Sequence, residues 1–391
     1  MRLLFSLAFA ITLFACDTPA TTATETVNPA PDRAALAREA NMALSPAAIK
    51  PNVVFAYEDV LWSFRFLPDS RIIATDRAGK LLLISADGSE SKEITGGVPE
   101  VRAKGQGGLM EVLLDPDFVT NRTIYLSYSK PDGKDNAGTA VGRATLNIAE
   151  TALENFTVLY EIEPKTDVTR HYGGKMIWGP QDGHLYFTVG DRGNRDENPQ
   201  DSTRDAGKVY RIAKDGSIPA DNPFIKYPAA KQAIYSYGHR NPQSLTAHPE
   251  TGEIWETEHG PRGGDEINII QPGLNYGWPV ITYGINYDGS QITEEVARPG
   301  MEQPLHYWVP SIAPSGMCFI TGDKYPGWEG DLLVGSLKFM RVQHVRLDGK
   351  DVVGEDKLLN NLGRVRDLRM GPDGYAYASV EGEGIVRLAV E

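Results

Sequence analysis

Residues 62–85, WSFRFLPDSRIIATDRAGKLLLIS, hold an apolar strand, a Pro-Asp turn, a second apolar strand and then a glycine turn. The strands are read from β-branched and aromatic residues that suit a pleated, half-buried surface; the turns are read from Pro, Asp and Gly. The same grammar returns at 109–129 (LMEVLLDPDFVTNRTIYLSYS), 173–193 (GGKMIWGPQDGHLYFTVGDRG), 242–260 (PQSLTAHPETGEIWETEHG) and 365–384 (VRDLRMGPDGYAYASVEGEG). A looser copy with a longer turn lies at 315–336 (SGMCFITGDKYPGWEGDLLVGS). The turn prolines of these six copies run from Pro68 to Pro372, a mean interval of about 61 residues. Short strands with glycine and aromatic punctuation at such a period predict the blades of a six-bladed β-propeller. No four-stranded blade can bury both faces alone, so the six must close into one all-β domain. A pair of sandwiches is the alternative, but it leaves six copies of one turn unexplained. The strand at 52–58, NVVFAYE, is expected to complete the last blade and close the ring.

Around this repeat, composition sets limits. The 391 residues include 39 Lys and Arg against 52 Asp and Glu, a net charge of −13. That balance argues against nucleic acid or an anionic lipid surface as the main partner, since both attract basic patches. A hydrophobic share of 41% supports a sizeable core. The two cysteines, Cys16 and Cys318, are too few for a disulfide framework or a Cys-based metal site. Residues 1–16, MRLLFSLAFAITLFAC, read as an export signal: Arg2 supplies the positive start, and the apolar run from Leu3 to Phe14 is too short to span a bilayer. The signal resembles that of a bacterial lipoprotein, with Cys16 as the lipidated residue. Phe14 is bulkier than that pattern favours, so plain secretion is the alternative. Residues 17–50 form a Thr/Ala/Pro-rich tether, with a short helix expected over 32–44, and 51–391 form the propeller. The expected location is the periplasm, with membrane contact only through an N-terminal lipid.

A propeller is a scaffold, and its function must come from loops at the channel mouth. The chain contains no GxSxG elbow, no HExxH and no GxxxxGK[ST] loop. Five polar clusters remain at blade edges. Gln106 stands between glycines in KGQGGLMEV, where a turn glutamine alone is ordinary. His171 in RHYGGKM precedes a Gly-Gly pair that lets a ligand approach, and His is the usual general base near neutral pH. Arg240 and Asn241 in YGHRNPQSL combine a charge and an amide beside Pro242. The loop EHGPRGGDEINIIQPGLNYGWP, with Asp265 and Glu266, can offer backbone carbonyls to a hard cation, or be a solvated turn. Lys338, Arg364 and Arg366 place three cations near strand ends of an acidic protein, which suggests a ligand with several carboxylates or phosphates.

Taken together and in order, GQGGL with DPDF, His-x-Gly-Gly-Lys, GHRNPQ, HGPRGGDEIN with NYGWP, SLK and R-x-R-D resemble the soluble quinoprotein glucose and sorbosone dehydrogenases, most nearly the shorter aldose sugar dehydrogenases. The resemblance runs from about Asn52 to the C-terminus. It implies a six-bladed propeller, pyrroloquinoline quinone (PQQ) and Ca²⁺ in the channel mouth, an aldose substrate oxidised to a lactone, and an external electron acceptor such as a quinone or cytochrome. It implies His171 as catalytic base, with Gln106 and Arg240 at the reactive end of the cofactor and Asn241 beside them. It further implies Lys338, Arg364 and Arg366 on the PQQ carboxylates, and main-chain oxygens of Gly260 and Pro261 on Ca²⁺.

One position departs from the family. In its glucose-oxidising members an Asp precedes the catalytic His and orients it, whereas this chain has Arg170. Either another carboxylate orients the imidazole or Arg170 points to solvent. Tyr172 also differs, so the resemblance supports aldoses as a class rather than glucose. The segment HYWVPSIAPSG (306–316) offers Trp308 either as a stacking wall for cofactor or sugar, or as blade core. Two other functions are weighed: a non-catalytic propeller that binds a ligand or protein, and a metal-dependent propeller lactonase. The His171 and cation set argues against the first, and the carbonyl character of the metal ligands against the second.

Overall fold

The structure is a computed structural model that describes residues 44–391. The export signal, Cys16, the tether as far as residue 43 and all but the last residue of the helix expected over 32–44 lie outside the described residues. Six four-stranded antiparallel sheets follow one another along the chain. Blades 1 to 5 span 61–94, 109–161, 176–237, 242–308 and 314–358. Blade 6 takes three strands from 365–390 and its outer strand from Ile49–Ala56, which pairs antiparallel with Gly384–Val390. The closing strand thus begins three residues before the stretch read from sequence.

The first strand of each blade packs against the first strands of its two neighbours, so these six line the axis and the ring is closed. Between blades, the residues that alternate inward along the strands make the core. Leu67, Ile73, Leu109 and Val112 join blades 1 and 2; Trp255, Ile267, Met317 and Phe319 join blades 4 and 5. The turn of the repeat has a physical basis. At its corner Ser70, Gly183, Gly252 and Gly374 all take left-handed φ values between 67° and 82°, which is why three of the four are glycine.

Two features of the inner strands shape the site. In blades 1, 2, 4, 5 and 6 the inner strand bulges near its start, at Leu61/Ser63, Leu109/Val112, Pro242/Ser244, Pro314/Met317 and Val365/Asp367. A bulge re-aims the neighbouring side chains, and here it follows Asn241, Ala313 and Arg364. Below the mouth, buried charges cross the axis. Lys175 Nζ lies 2.9 Å from Asp367 and 3.1 Å from Glu111, and Arg369 lies 3.1 Å from Glu111 and 3.2 Å from Asp367. Arg65 pairs with Glu111 as well. The Lys of the His-x-Gly-Gly-Lys segment therefore ties blade 3 to blades 2 and 6, and Arg65 extends the network to blade 1.

Candidate active site

His171 sits at the channel mouth on the segment that enters blade 3, 8% exposed and with φ of +56°. Its Nδ1 lies 2.6 Å from Asp191 Oδ1, and its backbone N–H donates to Gln106 Oε1 at 2.6 Å. Asp191 follows the second strand of blade 3, Leu185–Val189. It also accepts from the Trp278 indole N–H at 2.9 Å and from the Gly193 amide at 2.7 Å. The carboxylate that orients the imidazole is therefore Asp191. Arg170 is exposed, but it lines the same cleft as His171 and its guanidinium lies against Gly193, so the first answer is the one realised.

Burial pushes the His171 pKa down; the Asp191 hydrogen bond and charge oppose it, while Arg240 and Arg170 add to the lowering. Burial would raise Asp191, but the hydrogen bond and charge of His171, with Arg240 and the Gly193 amide, win and hold it below the usual carboxylate range. The pair is thus a neutral imidazole on a carboxylate. With Nδ1–H given to Asp191, Nε2 is left as the basic atom.

Two cavities meet at this segment. The larger, about 490 Å³, is lined by Arg170, His171, Asp191, Arg195, Asp196, Arg240, Pro261, Trp278 and Tyr287 among others. The smaller, about 220 Å³, is lined by Trp62, Gln106, Tyr172, Gly173, Gln243, His259, Leu337, Arg364 and Arg366 among others. Arg240 bridges them: it lines the larger and donates from Nη1 to the carbonyl of His259 at 2.8 Å. Buried Glu258 fixes this corner by accepting the backbone N–H of Arg240 at 2.5 Å and of Asn241 at 3.2 Å.

The donors of the smaller cavity suit an acceptor-rich anion. Arg366 Nε is buried without a hydrogen-bond partner, a costly state that a ligand with acceptor oxygens would relieve. Asn241 Nδ2, outside the lining but next to Gly173 and Gln243, is unpartnered too. Arg364 and Arg366 both pair with Glu381, the former at 2.8 Å, so part of their charge is already answered. Lys338 is exposed beside Leu337, outside both linings, and makes no ion pair among the described residues. At the other wall, Pro261 gives its carbonyl to the Ser311 hydroxyl at 3.0 Å, and Gly260 donates its N–H to Asp265 at 2.8 Å. A carbonyl has two lone pairs, so both oxygens keep capacity for a hard cation. The donor set fits PQQ and Ca²⁺.

Trp308 belongs elsewhere. It is buried between blades 4 and 5, with its indole N–H on Glu355 at 3.0–3.1 Å, and lines neither cavity. The core alternative is the one realised, and the indoles at the cavities are Trp62 and Trp278. Sequence reading missed Asp191, Glu258, His259 and Trp278. The first three stand where the second strand of a blade ends, a register that the repeat itself marks.

This fold and site define a propeller oxidoreductase, with a hydrogen-bonded histidine–carboxylate pair between a polar cleft and a cationic pocket. The sequence model of the glucose/sorbosone dehydrogenases matches residues 58–387, and the chain belongs to that family. It is 42% identical to the aldose sugar dehydrogenase YliI of Escherichia coli K12, over 85% of this chain and 90% of the relative. It is 30% identical to quinoprotein glucose dehydrogenase B of Acinetobacter calcoaceticus, over 81% and 80%. A PQQ-bound aldose sugar dehydrogenase of Streptomyces coelicolor superposes with a TM-score of 0.73 at 25% identity, covering 88% of this chain and 98% of that one. The chain is an oxidoreductase acting on sugar CH–OH groups.

Proposed function

We propose that the protein oxidises aldoses at the anomeric carbon to lactones, using PQQ in the smaller cavity and Ca²⁺ on the carbonyls of Gly260 and Pro261. The observation that carries this reading is the His171–Asp191 pair, with a polar cleft on one side and, on the other, a pocket lined by Arg364 and by Arg366 with its unpartnered Nε. When bound, PQQ with Ca²⁺ supplies a polarised quinone that accepts two electrons as hydride. The chain does the rest. His171 Nε2 takes the proton of the anomeric hydroxyl as hydride leaves the same carbon, which balances the two-electron oxidation to a lactone. Asp191 holds the tautomer and stabilises the imidazolium that forms, and Trp278 and Gly193 hold Asp191. Arg240 and Asn241 stand at the reacting end; Arg364 and Arg366, with Lys338 nearby, answer the carboxylates. An external quinone or cytochrome removes the electrons, and the export signal places the enzyme in the periplasm.

The test is reconstitution. Metal-free, PQQ-free protein should bind PQQ with a change in its absorbance only when Ca²⁺ is added, and should then reduce a dye with an aldose. Aldose-dependent dye reduction by the chelated, PQQ-free protein would overturn the assignment, as would failure to bind PQQ with Ca²⁺ present.

A further inference from the structure

In the larger cleft, charge does not balance. Asp191 is committed to His171, Trp278 and Gly193. Asp196 pairs with Arg195 at 3.5 Å, and Arg195 also spends Nη1 on Asn286 at 2.7 Å. Arg240 gives one nitrogen to His259 and lies over the Trp278 ring at 5.3 Å. Arg170 is exposed, and its side chain makes no ion pair or hydrogen bond among the described residues. Its guanidinium nevertheless has a built seat. It lies against Gly193, where a Cβ would come within 2.9–3.1 Å of Nη2, Nε and Cζ. Gly193, at φ +73°, gives its amide to the carboxylate oxygen that holds His171. A free cation is thus docked one peptide away from the catalytic pair.

We propose that the substrate is an aldose bearing an anionic group away from its anomeric carbon, and that Arg170 selects it. The proposal rests on the sugar-dehydrogenase reading and narrows it. A neutral sugar offers an unpaired guanidinium in the cleft hydroxyl acceptors but no countercharge. A carboxylate or phosphate gives it a charge-assisted, bidentate partner. The cleft carries this positive charge in a chain of net charge −13, against the field of the whole molecule. The cofactor does not account for it: Arg364 and Arg366 line the other cavity. Arg170 lines the same cleft as His171, so a sugar with its anomeric carbon at His171 can turn a distal anionic group toward it.

The experiment compares kcat/KM of the PQQ- and Ca²⁺-loaded enzyme for glucuronic acid, glucose 6-phosphate and glucose, with calorimetric binding of each sugar to the cofactor-free protein. One of the anionic sugars should exceed glucose by roughly tenfold or more, mostly through KM, and the advantage should shrink as salt is raised. The two anionic arms tell carboxylate from phosphate. Arg170→Gln should bring the ratio near one, Arg170→Glu should invert it, and binding should follow the same order. Equal use of all three sugars by the wild type, or an unchanged ratio in both variants, overturns this inference and leaves the sugar-dehydrogenase reading standing. Oxidation of none of the sugars by loaded enzyme overturns both.

Discussion

His171 holds a left-handed backbone that a non-glycine residue keeps only when its surroundings insist. Gln106 grips its N–H, Asp191 its ring, and Arg192 donates to the carbonyls of Arg170 and Val168 while stacking on Tyr172 at 3.5 Å. A side chain held so firmly is suited to one proton transfer. His171→Gln keeps size and hydrogen bonding but cannot take a proton, so kcat should fall by about 10²–10⁴ with PQQ binding retained. Stopped-flow reduction of bound PQQ by substrate measures it directly. The pH dependence has a definite sign. With the neutral imidazole as the proposed base, activity should fall as pH drops through its pKa, which burial, Arg240 and Arg170 hold below the ordinary value of about 6.5. Arg170→Glu removes a cation and adds an anion beside the ring, so the acid limb of the kcat–pH profile should move up. An acid limb that stays in place would separate Arg170 from the imidazole. His171 was legible because a Gly-Gly pair follows it. Asp191 was not: the two are separated by a strand pair, and only the register brings them together.

At the scale of elements, the site is made of loop ends whose directions are set by bulges and glycines. Chemistry-bearing residues were readable in sequence where they cluster, as in GHRNPQ and R-x-R-D. Their partners were hidden where the contact crosses blades, as between Gln106 on the approach to blade 2 and His171 on the approach to blade 3. Trp308 shows the converse: an aromatic in a promising string is spent on packing because its strand, His306–Trp308, is the outermost of blade 4. Gly190 offers a test of the element itself. A Cβ there would come within 2.4 Å of the His171 carbonyl oxygen and 2.8 Å of Asn241 Oδ1, and its neighbour on either wall is fixed. Gly190→Ala should therefore push the His171 segment outward. A displacement near 1 Å costs about 10² in rate, so kcat should drop strongly while the thermal midpoint moves little. A large loss of stability with kcat preserved would show that the close approach serves folding instead.

For the whole molecule, six copies of one turn announced six blades, because every blade needs the same turn at the same register, and the apolar stretch at 52–58 announced the closing strand. What the sequence could not reveal is how the axis is held. Its charged residues lie 65, 111, 175, 367 and 369 along the chain and meet only when the ring closes. Three cations, Arg65, Lys175 and Arg369, share two buried carboxylates, Glu111 and Asp367, and the surrounding cations hold Asp367 well below the carboxylate range against the pull of burial. This asymmetry makes a comparative prediction. Glu111→Gln leaves three cations facing one carboxylate in a buried channel, and breaking a buried pair from one side costs about 3–5 kcal/mol. Lys175→Met is close in shape and leaves two guanidiniums with two carboxylates, a balanced set, so its loss should be smaller, about 1–2 kcal/mol for the hydrogen bonds given up. Denaturant unfolding of both variants, with equal m-values, measures the difference. Equal losses would mean that the network acts through hydrogen-bond geometry, whereas a larger loss for Glu111→Gln locates the stability of the closed ring in the balance of charge at its centre.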